Sequence, residues 1–338
     1  MIAGLVYQKA YAGDYLSVVA VGDIMMGSLG QKGRLPPDDG QHLFNDIAPN
    51  LRDGDLTFGN LEGPLYDAEE PGKCRETKSP WCFEFKMPVR YGLFLKQAGF
   101  TVLNIANNHT LDFGMEGIRS TLETLDSLGI KPLGGQAIAE LTIKGKKIAM
   151  IGFSYRSSLH SWSLLEIDKA KELVSKIKET HDLVIVSFHG GAEGKTALQV
   201  VNENEIFLGE DRGNVMLFSR SVIDAGADLV LGHGPHVLRA VEIYKGKLIA
   251  YSLGNFLTYG LFNLKGPNSI GGILRVNLDL KNGQFLEGRL IPLKLVNGGI
   301  PIPDSHREVI HLLKELTHKN GYDFNARISD EGEIIRIR

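Results

Sequence analysis

"TVLNIANNHTLDFGMEGIRSTLETLDSLGI", residues 101–130, runs from an apolar strand (101–108) through a polar tip into a well-patterned amphipathic helix (115–130). A short, nearly unbroken apolar run suits a strand covered on both faces, and the wider 3–4 spacing that follows suits a helix with one face on a core. The same unit recurs upstream. "LSVVAVGD" (16–23) and "DLTFGNLEG" (55–63) read as strands, and "LFNDIAPNLR" (43–52) and "MPVRYGLFLKQAGF" (87–100) as helices. This βαβαβα order predicts a parallel sheet with right-handed crossovers. At the tip of the third strand, where a plain turn would serve, stand Asn107, Asn108, His109 and, after Thr110 and Leu111, Asp112.

Downstream the pattern changes. "AELTIKGKKIAMIGFS" (139–154) reads as two strands joined at Lys144-Gly145. A helix near 166–179, the strand "DLVIVSFHGG" (182–191), a helix near 213–225 and the strand "ADLVLGHGPH" (227–236) restore the alternation. Hairpins over 239–256 and 271–296 then add antiparallel strands to a mixed sheet, and 154–166 and 192–212 read as irregular. No internal repeat or low-complexity linker divides the chain, which predicts a single domain over 16–338.

With 338 residues, 43% hydrophobic and 23% charged, the composition is that of a globular protein with length for a large core. The net charge of −3 excludes a basic field for nucleic acid or an anionic membrane. No run of 18 apolar residues predicts a spanning helix. Residues 1–15, "MIAGLVYQKAYAGDY", suit either a signal remnant ending at the small-x-small Ala10-Tyr11-Ala12 or a frayed terminus. Cys74 and Cys82 sit in one polar loop with a spacing wrong for a CxxC pair but suited to a local disulfide, the expected state if the protein is exported.

Open α/β sheets place their sites at the carboxyl ends of parallel strands. There the chain sets Asp23, then Asn60 and Glu62, then Asn107, Asn108 and His109, then His189 with Glu193, then His233 and His236, and after the next hairpin Asn255. One polar residue at a strand exit is an ordinary turn former or cap. Imidazoles and carboxylates at nearly every exit are a ligand set. Carboxylate, imidazole and amide oxygen together suit one or two ions of Zn²⁺, Mn²⁺ or Fe rather than a thiolate metal. Such a centre supplies a nucleophilic water near neutral pH and a positive floor for an anionic substrate. His109 is then read as a general acid facing the leaving group, with Asp112 on its other ring nitrogen fixing the tautomer. Outside the strand tips, His42, His160, His306, His311 and His318 read as surface histidines, and Trp81 as loop packing or a ligand stack.

The stretches "VGDIMMG", "GNLEGPL", "NIANNHTLDFG", "SFHGGAE", "GHGPHVLRAVE" and "IAYSLGNFL", in this order from 21 to 257, resemble the motif series of the bacterial CapA family of capsule or poly-γ-glutamate synthesis proteins. That resemblance implies an α/β fold with mixed sheets, a four-layer αββα sandwich like the metallo-dependent, calcineurin-like phosphatases, with metals at its strand ends. It makes Asp23 the first metal aspartate, Asn60 or Glu62 the bridging position, Asn108-His109 the asparagine–histidine pair, and His189, His233 and His236 the later histidine ligands. Glu193, Arg239 and Asn255 are expected to contact substrate, although Arg239 and Lys245 also suit ordinary hairpin surface. The sequence departs from the pattern at Met25, Asn60, Gly190 and Gly234. Met25 and Asn60 count against a general phosphodiesterase or nucleotidase. The resemblance implies a metal-dependent hydrolase or transferase that acts on an anionic envelope polymer or a small anionic precursor, outside the cytoplasm in the periplasm or at the cell surface. The alternative is a non-catalytic, metal-containing factor that holds a polyanion for a membrane-bound synthase complex.

Overall fold

The structure is a computed structural model that describes residues 14–30, 32–75, 77, 82–134, 137–156 and 161–337. The signal-like stretch through residue 13, Trp81 and His160 lie outside the described residues.

The chain builds one sheet, leaves it for a second, and returns. The first pass gives β1 (Tyr15–Met25), α1 (Ala48–Leu51), β2 (Leu56–Leu61), α2 (Gly92–Ala98), β3 (Val102–Asn104), α3 (Gly114–Ser127) and β4 (Lys131–Leu133). The second sheet takes β5 (Ile138–Ile143), β6 (Lys146–Ser154), β7 (Trp162–Ser163), α4 (Ile167–Lys178), β8 (Leu183–His189), a two-stranded hairpin of β9 (Ile206–Phe207) and β10 (Glu210–Asp211), α5 (Val215–Asp224), β11 (Leu229–His233), β12 (Val241–Tyr244) and β13 (Lys247–Ala250). The return gives β14 (Asn255–Thr258), β15 (Ile270–Asp279), β16 (Phe285–Val296), β17 (Ile300–Pro303), α6 (Glu308–His318), β18 (Ala326–Ile328) and β19 (Glu333–Arg336).

Strand order in the first sheet is β18-β19-β16-β15-β1-β2-β3-β4, with β14 also on β1 and β17 on β16. The second sheet runs β12-β13-β11-β8-β6-β5, with β7 on β6; β9 and β10 pair only with each other. The pairs β1–β2, β2–β3 and β3–β4 are parallel, as are β6–β8, β8–β11 and β11–β13, so the predicted parallel pairing holds in both halves. The single mixed sheet read from periodicity is in fact two.

Alternation along β1 explains the layering. Val18 and Ala20 point to an inner core shared with Phe58 and Val102 of the first sheet and Ile148, Met150, Ile185 and Leu231 of the second. Val19 and Val21 point outward, where Leu51, Leu95 and Leu125 of α1, α2 and α3 cover them. On the far side, Ile151, Val184 and Val186 pack against Val174 and Ile177 of α4 and Phe218 and Val222 of α5. Helix, sheet, sheet, helix is the expected four-layer order. Each fully buried side chain of this kind contributes about 1.5–3 kcal/mol.

The helix expected over 43–52 shrinks to α1, because Pro49 stands in its first turn and a longer helix would put that ring against the preceding carbonyl. The helix expected over 87–100 likewise starts at Gly92, after a 3-10 turn, and ends at left-handed Gly99.

Candidate metal centre

Register places the polar strand ends in two facing rows. On the first sheet Asn255, Asp23, Asn60 and Asn104 are successive partners on β14, β1, β2 and β3. On the second, Ser154, His189 and His233 are partners on β6, β8 and β11. All seven are buried. The row reaches Asn255 because β14 meets β1 where β15 leaves it. A Cβ on Gly22 would stand 1.9 Å from the Gly254 carbonyl oxygen, and the Asp23 N–H donates to that oxygen at 2.9 Å. Only glycine at 22 lets the two backbones come this close.

Between the rows lies a cluster of charge. Asp23 Oδ2 is 2.9 Å from His236 Nδ1, and Asp23 Oδ1 is 3.4 Å from His233 Nδ1. His236 Nε2 is 3.6 Å from Glu62 Oε1 and 4.0 Å from Glu193 Oε2. Asp23, Glu62 and His236 each bring one ligand-type atom within 4.8 Å of the others. Both Glu62 oxygens, Asn108 Oδ1 and His233 Nε2 are buried with no hydrogen-bond partner among the described residues. Orphaned lone pairs on carboxylate, amide and imidazole are costly unless a cation takes them, so these residues fit a divalent ion.

The electrostatics agree. Burial lifts the Glu62 carboxyl well above its usual range, His236 opposes the rise, and Asp23, Glu193 and Asp112 add to it. Burial would lift Asp23 too, but hydrogen bonds and charge from His233 and His236 outweigh it and hold Asp23 well below the carboxylate range. His236 is pulled down by burial yet pushed up to about 10 by Glu62, Asp23 and Glu193. Burial takes His189 well below an ordinary imidazole.

His109 stands at the edge of this cluster. The Asn107 side chain accepts from the His109 N–H at 3.1 Å and fixes the turn. The imidazole stacks on Phe85, with centroids 3.9 Å apart. Nδ1 is 2.7 Å from Asp112 Oδ2, which also accepts from the Phe85 N–H at 2.6 Å, while Asp112 Oδ1 is 2.6 Å from Lys73 Nζ. Nε2 remains, 3.8 Å from Glu62 Oε1. Burial lowers the His109 pKa against the pull of Asp112, and Lys73 lowers it further.

Other expected positions find different surroundings. Asn60 Nδ2 donates to Asp23 Oδ1 at 2.8 Å and lies 3.4 Å from His189 Nδ1, while its Oδ1 accepts from Asn104 at 2.8 Å and Asn107 at 3.1 Å. Arg239, expected to contact substrate, is fully buried. Its guanidinium forms two hydrogen bonds to the Glu205 carboxylate, at 2.8 and 2.7 Å, and one to the Ala192 carbonyl at 2.9 Å, so it braces the loop from within instead of facing a substrate. Glu193 stays at the rim, bound to Arg212 at 2.8 Å. Asn255 donates to the Asn268 carbonyl at 3.0 Å, and Asn268 donates to that of His236 at 3.0 Å. Lys245 pairs with Asp224 on an exposed turn.

Sequence reasoning missed Lys73, Phe85, Asn104, Arg212 and Phe262. Arg212 lies over the Tyr155 ring at 4.1 Å, and Phe262 packs between Phe85 and His236 at 5.1 and 4.9 Å. The departures at Gly190 and Gly234 turn out to be one feature. A Cβ on Gly234 would lie 2.9 Å from both the amide and carbonyl of Gly190, whose N–H donates to the His233 carbonyl at 2.9 Å. The two loops touch backbone to backbone, so a side chain is excluded there.

Comparison with known proteins agrees with this architecture. PGA biosynthesis protein CapA of Bacillus subtilis (strain 168) is 31% identical over 265 residues, covering 74% of this chain and 65% of that one. Capsule biosynthesis protein CapA of Bacillus anthracis is 29% identical over 265 residues, covering 72% and 60%. The chain thus spans less than two thirds of the length of both relatives. Among solved structures, one described as a novel phosphatase from Mycoplasma pneumoniae aligns over 88% of this chain and 99% of its own, with a TM-score of 0.50 and 14% identity, a likeness of fold. The family model described as bacterial capsule synthesis protein PGA_cap matches residues 17–259, and the chain belongs to that family.

Proposed function

We propose that residues 16–338 act as one metal-dependent hydrolase or transferase domain, exported, whose substrate is an anionic envelope polymer such as poly-γ-glutamate or its phosphorylated precursor. The relatives named for capsule and PGA biosynthesis support the substrate class. The Cys74–Cys82 disulfide supports an oxidising compartment. The relatives named for capsule and PGA biosynthesis are consistent with work beside a membrane-bound synthase; among the described residues no helix is long and apolar enough to cross a membrane.

The observation that carries the reading is His109. Its Nδ1 is tied to Asp112 and its ring is clamped on Phe85, yet Nε2 is turned toward Glu62 in the charged cluster. A histidine that only packs or caps has no need of a ring held by two side chains with one nitrogen left over. A divalent ion of manganese, zinc or iron, held by Asp23, Glu62 and His236 with Asn108, His189 and His233 nearby, would act as a Lewis acid on an anionic oxygen. The protein does the rest. Lys73 pairs with Asp112 at 2.6 Å, and Asp112, 2.7 Å from His109 Nδ1, holds the ring's proton on that nitrogen. Burial lowers the ring's affinity for a second proton and an anionic substrate beside Nε2 raises it, so a proton from solvent is taken up on Nε2 as the substrate binds. Nε2 then delivers that proton to the leaving group, while Phe85, stacked on the ring and packed against Phe262, holds the imidazole in place.

The test combines metal analysis of protein purified without chelator with turnover assays on poly-γ-glutamate and on phosphodiesters. His109→Ala is expected to keep its metal and lose turnover by about 10²–10⁴-fold, the usual worth of a positioned acid. Metal-loaded wild type that binds the polymer but turns over neither substrate would instead make the protein a polyanion-holding assembly factor. Loss of metal in His109→Ala would make His109 a ligand.

A further inference from the structure

We propose that the centre holds a single divalent ion, on Asp23, Glu62 and His236, and that Asn60 is the residue that keeps a second ion out. The inference rests on the metal reading above and is carried by the direction of four hydrogen bonds to main-chain groups.

Backbone N–H only donates and backbone C=O only accepts, so a side-chain amide bonded to both has a fixed orientation. Asn104 accepts from the Ala106 N–H through Oδ1 and donates to the Ala106 carbonyl through Nδ2, both at 3.2 Å. Asn107 accepts from the His109 N–H at 3.1 Å and donates to the Leu61 carbonyl at 2.9 Å. Neither amide can turn over without losing both bonds. Each therefore aims an N–H at Asn60 Oδ1, at 2.8 and 3.1 Å, and together they take both of its lone pairs.

Asn60 Nδ2 is left to face the cluster, donating to Asp23 Oδ1 at 2.8 Å and facing His189 Nδ1 at 3.4 Å. Three consequences follow. Asn60 presents N–H groups where a bridging residue must present a lone pair. Asp23 Oδ1 is engaged, so Asp23 has less to share between two ions. His189 cannot ligate through Nε2 in the usual way, since that needs the ring proton on Nδ1, and Nδ1 already faces an N–H. A second cation beside Asn60 would sit among positively polarised hydrogens, whereas Asp23, Glu62 and His236 bring ligand-type atoms within 4.8 Å of one another, both Glu62 oxygens without a hydrogen-bond partner. An aspartate at 60 would reverse this. It would accept from Asn104 and Asn107 as the amide does and add a negative charge beside Asp23.

The experiment uses the full chain, wild type and Asn60→Asp, loaded with Mn²⁺, freed of loose ion by gel filtration, and read by elemental analysis and electron paramagnetic resonance. The expected wild type carries about one Mn²⁺ per chain with the hyperfine sextet of an isolated ion, and Asn60→Asp about doubles that content and shows the multiline pattern of a coupled pair. Two coupled ions in wild type, or a variant that stays at one, overturns the proposal. A wild type that retains no ion overturns the metal centre itself, which separates the two failures. Should Asn60→Asp not fold, wild type at saturating Mn²⁺ decides alone: an isolated sextet upholds the single site and a coupled pattern rejects it.

Discussion

Glu62 concentrates the logic of the site, because a buried carboxylate with two unpartnered oxygens is tolerable only beside a cation. Glu62→Gln removes that charge at nearly constant shape, so it is expected to lose metal while the fold survives. Equal metal content in folded wild type and variant would remove Glu62 from the ligand set. His236 gives a second prediction. Raised to about 10 without an ion, it is protonated at neutral pH, and a ligating imidazole must give that proton up. Ion binding should therefore release protons and tighten as pH rises, which calorimetry in buffers of different ionisation enthalpy measures directly; uptake that is independent of buffer contradicts it. That Asp23, Glu62, His109 and His236 lie together was legible in the sequence, since imidazoles and carboxylates recur at nearly every strand exit where single caps would not. The roles of Asn60 and Arg239 were not. An amide reads alike whichever end faces the ion, and the Glu205 that claims Arg239 lies in the irregular loop before β10, whose path no periodicity foretells.

Among the elements, the disulfide loop matters most to His109. Lys73 precedes Cys74, Phe85 follows Cys82 by three residues, and Glu84 accepts from the Cys74 N–H at 3.0 Å, so the bridge holds together the two residues that grip Asp112. Closing so short a loop is worth about 2–3 kcal/mol of chain entropy. Replacing both cysteines by serine is expected to lower turnover by as much as about 10²-fold, through misplacement of the ring, while metal content is unchanged. Full turnover in the double variant would show that the bridge does not position His109. The loop could be read from the sequence as a disulfide, but not as a support, because its partner Asp112 lies across the sheet end. β14 escaped for a similar reason. "IAYSLGNFL" looks like one continuing strand, and only the close approach of Gly254 to Gly22 reveals that the chain has crossed to the other sheet.

For the whole molecule, the cluster is a joint. Asp23, Glu62 and His109 come from the edge of the first sheet and His189, His233 and His236 from that of the second, so an ion held by Asp23 and His236 links the two layers. An ion that binds only the folded chain adds about 2.7 kcal/mol at a hundredfold excess over its Kd. Melting is expected to rise with Mn²⁺ or Zn²⁺ and to fall with chelator, and the Glu62→Gln protein should show neither shift. A metal-insensitive melting curve in wild type would mean that the centre bridges nothing.

The return of the chain through β14 also sets an order of assembly. β1 is synthesised well before two of the strands that flank it, β14 and β15, which come after the whole second sheet. Until then Asp23 has β2 on one side but lacks β14 on the other, and that edge of β1 is open to pairing with other chains. Loop closure over so long a separation is slow. The centre is therefore among the last features to form, and a chain crossing a membrane unfolded would gain its metal only after its final third had arrived.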